Sequence, residues 1–287
     1  MGSKILVTGA TGTIGSFVVE NLQKANADFI ALVRSEEKAK SLNDKGILTV
    51  IGDLEDIESL RNAMSGIDKL FLLSVTSPES PKLQGNAVKV AKEKGIKHIV
   101  KISARGANPD ATFNIGRFHG ETEEDIRQSG IPFTFVQPHS FLQNLLFEAG
   151  TIKNENAIYA SMADGKIPMV DARDIAAVAS KALMETGHEG QSYIVTGPRA
   201  ISYHDIASEL SNQLGRSIKY ISTSLEEGYK SMMDAGMPGW LADDITALNK
   251  VYGENKATEV SHDVEKVTGN KPIGLNKFIA DYLDSFK

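Results

Sequence analysis

The chain has 287 residues, of which 41% are hydrophobic and 24% charged, enough for an ample core in one large domain or two closely joined ones. A formal charge of −6 gives nucleic acid nothing to bind, and the lack of cysteine excludes disulfides, thiolate metal sites and a cysteine nucleophile. The six histidines lack the spacing of a zinc site, no apolar run reaches bilayer length and no signal-peptide core precedes the first strand, so a cytoplasmic location is expected.

The first predicted element is a strand, Ile5-Leu6-Val7. It runs into Gly9-Ala10-Thr11-Gly12-Thr13-Ile14-Gly15, followed by an amphipathic segment with Ile14, Phe17, Val18, Leu22 and Ala25. Strand, glycine turn and helix in that order are the context a dinucleotide fingerprint requires. One glycine permits the tight turn, one lets backbone approach a pyrophosphate, and one lets helix and sheet pack closely. Backbone amides at the helix start then face the phosphates, aided by the helix dipole.

Strands are next expected over Phe29–Val33, Ile47–Ile51, Leu70–Leu73, Ile99–Ile102 and Phe133–Val136. Helices are expected between them, over Glu36–Lys45, Leu54–Met64, Leu83–Lys94 and Gly116–Gln128. Continuous apolar strands alternating with helices argue for a doubly wound parallel sheet covered on both faces. The second half is less regular, with a helix over Arg173–Glu185 and a strand over Tyr193–Val195. Helical patterns follow over Tyr203–Leu214, Leu225–Ala235, Leu241–Tyr252 and Leu275–Phe286. We therefore expect a dinucleotide-binding core over residues 1–150 and a smaller, mostly helical substrate lobe over 151–287, with 170–197 returning to the sheet.

In such sheets ligands lie beyond the carboxyl ends of the strands. After the first strand these positions are Gly9, Thr11, Gly12, Thr13, Ile14 and Gly15; after the second, Arg34 and Ser35. An acid here would suit the ribose of NAD, whereas an arginine suits the 2′-phosphate, so NADP(H) is preferred and NAD(H) allowed. Asp53 and Leu54 could meet the adenine, although Asp53 would also serve as helix N-cap. Ser74, Val75 and Thr76 would pass the inner ribose.

With these residues placed, the chain resembles the atypical short-chain dehydrogenase/reductases, and within them the NmrA-like family. The resemblance rests on Val7 to Gly15, Val33-Arg34, Gly52-Asp53-Leu54, a strand ending at Ser103, Gly130 to Pro138, and Val170 to Ala176. The nearest likeness is to the NAD(P)H-dependent quinone and triphenylmethane-dye reductases of that family, which implies a Rossmann fold and hydride chemistry. One departure matters. The wider superfamily uses a serine with a Tyr-x-x-x-Lys pair, whose lysine lowers the phenol pKa. Here Ser103 ends the fifth strand, but the next tyrosine is Tyr159, and the only such spacing, Tyr252 to Lys256, comes far too late.

Without that proton shuttle, ordinary ketone reduction and sugar epimerisation are disfavoured. Quinone-like and other electron-poor aromatic acceptors, whose reduced forms are stabilised, dispense with a strong acid. His119 and Glu123 share a helix face. His119 is either a proton donor or substrate contact in the vacated tyrosine region or, the preferred reading, part of a polar helix start. After the sixth strand, Pro138 and Phe141 could wall the nicotinamide, while Gln143 and Asn144 offer amides to the acceptor. His139 reads as a satisfied loop histidine. Met232, Met233, Met237, Pro238 and Trp240 either cap an apolar pocket, Met237 and Trp240 touching the acceptor, or pack two helices across a turn. The candidate catalytic set is thus His119, Asn144 and Ser103. A redox sensor that binds NADP(H) without turnover is the alternative function, and an epimerase-like protein the third. The expected partner is a small-molecule acceptor, with a homodimer allowed for.

Overall fold

Residues 3–287 are described by the structure, a computed structural model. In chain order the first elements are β1 (Ile5–Val7), α1 (Thr13–Lys24), β2 (Phe29–Val33), α2 (Glu36–Asn43), β3 (Thr49–Ile51) and α3 (Ile57–Ala63). Then come β4 (Lys69–Leu72), α4 (Ser80–Lys94), β5 (His98–Ile102), α5 (Asn114–Ser129) and β6 (Phe133–Pro138). A 3-10 helix over Leu142–Glu148 leads to α6 (Ala149–Glu155), β7 (Ala157–Ala160), α7 (Ala172–Met184) and β8 (Gln191–Val195). The chain closes with α8 (Tyr203–Leu214), β9 (Lys219–Ser222), α9 (Leu225–Asp234), α10 (Gly239–Gly253), α11 (Asp263–Thr268), α12 (Leu275–Asp281) and α13 (Leu283–Phe286).

Two compact units result: residues 3–138 with 172–194, and residues 139–171 with 195–287. The first holds a seven-stranded sheet in the order β3-β2-β1-β4-β5-β6-β8, with β1 to β6 parallel. Strand order reverses between β1 and β4, which creates the switch point of a doubly wound sheet. Successive strand residues point to opposite faces. Leu6, Leu70, Leu72, Ile99 and Phe135 therefore pack with Leu60 of α3, Val88 of α4 and Ile126 of α5, while Ile5, Val7, Phe71 and Val100 are buried as well. Helices α1 and α7 pack together, and α7 lies along β4, β5 and β6. The fold is the expected Rossmann-type α/β architecture.

Buried lysine serves structure at one end of this sheet. The Lys69 ammonium donates to the carbonyls of Leu183 (2.7 Å) and Glu185 (3.3 Å) at the end of α7. A cation is favoured there because the last carbonyls of a helix are unpaired and carry the negative end of its dipole.

The second unit is built around Leu142, Leu145, Ile152, Ile158, Met169, Ile206, Leu210, Phe278 and Phe286. It is mostly helical, with an added parallel strand pair, β7 and β9, in register from Ala157 with Lys219 to Ala160 with Ser222. Sequence reading missed this pair because each strand is four residues long and β9 is mostly exposed. The helix expected over Leu275–Phe286 is two short helices broken at Tyr282. The Met-containing turn joins α9 to α10 through Gly236 at φ +81°; the helices touch, yet no residue of α9 is buried.

Candidate functional site

The three loop glycines have separate roles. Gly9 turns the chain at φ +65°, where a side chain would meet the Leu73 carbonyl at 2.9 Å. A Cβ on Gly15 would stand 2.0 Å from the Gly9 carbonyl oxygen, so α1 lies directly on the turn that precedes it. Gly12 is the N-cap of α1. Neighbouring α2 and α3 are closed by the side chains of Ser35 and Asp56, but α1 has no side-chain cap and no acid in its first turn. The first-turn amides of a helix have no acceptor within it. At α1 they are left for an anion, which fits the pyrophosphate of a dinucleotide. Thr8 secures the floor of this loop: its hydroxyl accepts from the Leu73 amide (2.8 Å) and lies against the Phe71 and Leu73 carbonyls.

Arg34 follows β2, is exposed and forms no ion pair among the described residues. Ser35 accepts from the Lys38 amide at 3.3 Å, and Glu36 and Glu37 fall in the first turn of α2. The helix expected to start at Leu54 starts at Ile57 and is capped by Asp56, not Asp53. The Asp53 carboxylate instead accepts from the Glu55 amide (3.0 Å), and its own amide donates to the Ser59 hydroxyl. After β4, the Ser74 hydroxyl accepts from Gln84 (2.8 Å), Val75 is 80% exposed and Thr76 is half-buried.

Beneath these carboxyl ends lies a buried polar cluster that the sequence only hinted at. Lys101 of β5 is 0% exposed. Its ammonium donates to the Ile102 carbonyl (3.1 Å) and meets Nδ1 of His119 at 2.9 Å. Nε2 of His119 faces the Thr76 hydroxyl at 3.5 Å. One turn further along α5, Glu123 accepts from the Ser103 hydroxyl (2.6 Å) and Gln137 (2.8 Å), and pairs with Arg127 (2.8 Å). Burial, opposed by the Glu123 carboxylate, pulls the Lys101 pKa down to about 7. Burial and then the Lys101 charge hold His119 well below its ordinary value. The polar helix start preferred from the sequence is therefore corrected: His119 and Glu123 both lie inside. The hydroxyl proton of Ser103 is committed to Glu123. Among the residues missed, Lys101 did carry a signal, since a lysine inside a run buried on both faces is rare unless paired.

Pro138 ends β6 in the first unit, its carbonyl accepting from the Arg105 amide. The remaining candidates belong to the second unit. Phe141 bridges to Val170 and precedes the 3-10 helix. Gln143 is buried and donates to Asp171 (2.9 Å), whereas Asn144 is exposed, 3.5 Å from the Ser140 hydroxyl. Met237 and Trp240 are half-buried at the start of α10. His139 is indeed satisfied: it is buried, accepts from the Ser140 amide at Nδ1 (2.8 Å) and rests beside Tyr252. Among the described residues there is no cluster fit to hold a metal, and no helix is long and apolar enough to cross a membrane.

A doubly wound sheet with a glycine turn, an open α1 start and a free arginine after β2 defines a Rossmann-type dinucleotide fold. More narrowly, the chain belongs to the NmrA-like family, whose model matches residues 1–282. It is 42% identical to an NAD(P)H azoreductase of Xenophilus azovorans over 282 residues, covering 98% of this chain and 99% of that protein. The solved NADPH complex of an NADPH-dependent quinone oxidoreductase from Escherichia coli matches with a TM-score of 0.88 at 28% identity, covering 97% of this chain and 99% of that one. The Citrobacter sp. triphenylmethane reductase complexed with NADP(H) matches with a TM-score of 0.85 at 28% identity, over 97% and 99% of the two chains.

Proposed function

We propose that this chain is an NADPH-dependent reductase of quinone-like and other electron-poor aromatic acceptors. The observation that carries the reading is α5. On the helix where the wider superfamily's tyrosine is expected, there is no tyrosine, and His119 and Glu123 occupy its inner face. An acceptor that takes hydride without a strong acid suits such a helix, and the azo-, quinone- and dye-reducing relatives are in keeping with it.

Bound NADPH supplies the hydride. Gly9 to Gly15 would hold its pyrophosphate at the start of α1, and Arg34 with Ser35 would take the 2′-phosphate. Asp53 and Leu54 would meet the adenine, and Ser74, Val75 and Thr76, with Ser103 and Pro138, would line the path of the inner ribose and nicotinamide. Phe141, Gln143, Asn144, Met237 and Trp240 are the proposed acceptor contacts, although Gln143 already spends one amide proton on Asp171.

Calorimetric titration of NADPH and NADH into the protein and into Arg34→Ala tests the cofactor, and NADPH oxidation against quinones, azo dyes and cationic triphenylmethane dyes tests the reaction. Equal binding of both cofactors with no effect of Arg34→Ala would sink the assignment. Binding without turnover of any acceptor would favour the redox sensor instead.

A further inference from the structure

We propose that Lys101, His119 and Thr76 form a proton conduit that supplies, from inside the first unit, the proton taken up when a quinone-like acceptor is reduced. The proposal rests on the reductase reading above. Two contacts in series carry it. The Lys101 ammonium meets His119 Nδ1 at 2.9 Å, and His119 Nε2 faces the Thr76 hydroxyl at 3.5 Å. Thr76 is half-buried and follows β4, among the carboxyl ends where ligands of such sheets lie. Of the three only Thr76 opens outward; Lys101 is wholly enclosed and His119 nearly so. An ammonium can only donate, so His119 must accept at Nδ1 and carry its ring proton on Nε2. That tautomer points a transferable proton at Thr76.

Reducing a quinone to a hydroquinone takes one hydride, from the nicotinamide, and one proton. The Thr76 O–H gives its proton to the acceptor oxygen and recovers one from His119 Nε2. His119 Nδ1 in turn takes a proton from Lys101, which is left as the neutral amine. The same series run backwards from solvent restores the ammonium after product leaves.

The ionisable groups around the conduit are few. Glu123 on α5 acts on Lys101, and Lys101 acts on His119; α7, which packs along β5, brings the buried Asp174 to the same sheet. Glu123 itself is held by Arg127, Ser103 and Gln137. Lys101 is half-charged near pH 7, so its stored proton is present below neutrality and lost above it.

The test compares wild type with Lys101→Met, His119→Asn and Thr76→Val on two acceptors under saturating NADPH. One is a quinone, which needs a proton; the other is a cationic triphenylmethane dye, which hydride alone turns into a neutral product. We expect wild-type quinone turnover to fall as pH rises through about 7. In Lys101→Met at pH 6 the ratio of quinone to dye kcat should drop by about tenfold or more, with a flat pH profile. Nitrogen-15 NMR of the His119 ring, read without turnover, should find the Nε2–H tautomer at pH 6. An equal loss with both acceptors, an unchanged quinone profile, or a ring protonated at Nδ1 would overturn the conduit while leaving the reductase reading intact. A wild type that reduces neither acceptor removes the reductase reading, and the conduit with it.

Discussion

Replacing Lys101 by methionine should stabilise the protein at low pH and do so progressively less as pH rises. The methionine side chain is about as long, is apolar and needs no proton. In the wild type, burial lowers the Lys101 pKa from an ordinary 10.5 to about 7. Between those values the unfolded chain binds more protons than the folded one, so wild-type stability climbs with pH across that window. At roughly 1.36 kcal/mol per pH unit, the cost of burying the ammonium is about 5 kcal/mol at pH 6 and about 1 kcal/mol at pH 10. Against this, methionine cannot donate to the Ile102 carbonyl or to His119 Nδ1, which takes away about 1–3 kcal/mol at either pH. The variant should therefore be more stable than wild type by about 2–4 kcal/mol at pH 6, and equal or less stable at pH 10. Urea unfolding of both proteins at the two pH values measures the gap, because titrating groups that do not touch Lys101 cancel in the difference and His119 is the one neighbour whose titration moves with it. A gap that stays constant between pH 6 and pH 10 would mean that Lys101 is not buried as an ammonium, and would refute the reasoning.

Four further substitutions address the cofactor cradle. Arg34→Ala should weaken NADPH binding by about tenfold, one charge-assisted contact to phosphate, and leave NADH nearly unchanged in calorimetry. Gly15→Ala opposes helix propensity to a clash: propensity alone would stabilise α1 by about 1 kcal/mol, but a Cβ 2.0 Å from the Gly9 carbonyl cannot be accommodated. The expected result is a loss of about 1–3 kcal/mol in thermal unfolding together with weakened dinucleotide binding; a more stable variant would contradict the packing described. Asp56→Ala should cost about 1 kcal/mol as the lost cap of α3, with dinucleotide affinity kept, whereas Asp53→Ala should lower affinity more than stability.

The sheet was legible because its strands are short apolar runs that alternate with helices, and β1 to β6 fall within two residues of where that pattern puts them. Helix starts were less so. Asp53 and Asp56 are chemically equivalent N-cap candidates, and only the backbone path, which turns the Asp53 carboxylate onto the Glu55 amide, decides between them. The β7 and β9 pair escaped because neither strand has the length or burial that makes a strand pattern visible. The glycine turn before α1 and the exposed arginine after β2 were readable from position alone, while their cofactor roles belong to the function proposed above. The cluster under α5 was not, for a physical reason: residues four apart share a helix face, but nothing local says whether that face meets water or a lysine on the neighbouring strand.

That lysine explains why α5 can hold polar groups inside. His119 and Glu123 project from one face of the helix, yet they are satisfied differently. Glu123 takes hydrogen bonds from Ser103 and Gln137 and an ion pair from Arg127, so its charge is answered at the edge of the cluster, where Arg127 is 42% exposed. His119 has only Lys101 on one side and Thr76 on the other. A buried network of this kind is stable only when every member has a partner. Removing Lys101 leaves Nδ1 of His119 bare, and removing Glu123 leaves the Lys101 charge without its counterweight. Glu123→Gln, which keeps the shape but discards the charge, should therefore depress the Lys101 pKa further and shift the basic limb of quinone reduction to lower pH. Glu123→Gln leaving that limb in place would show that Lys101 does not set it.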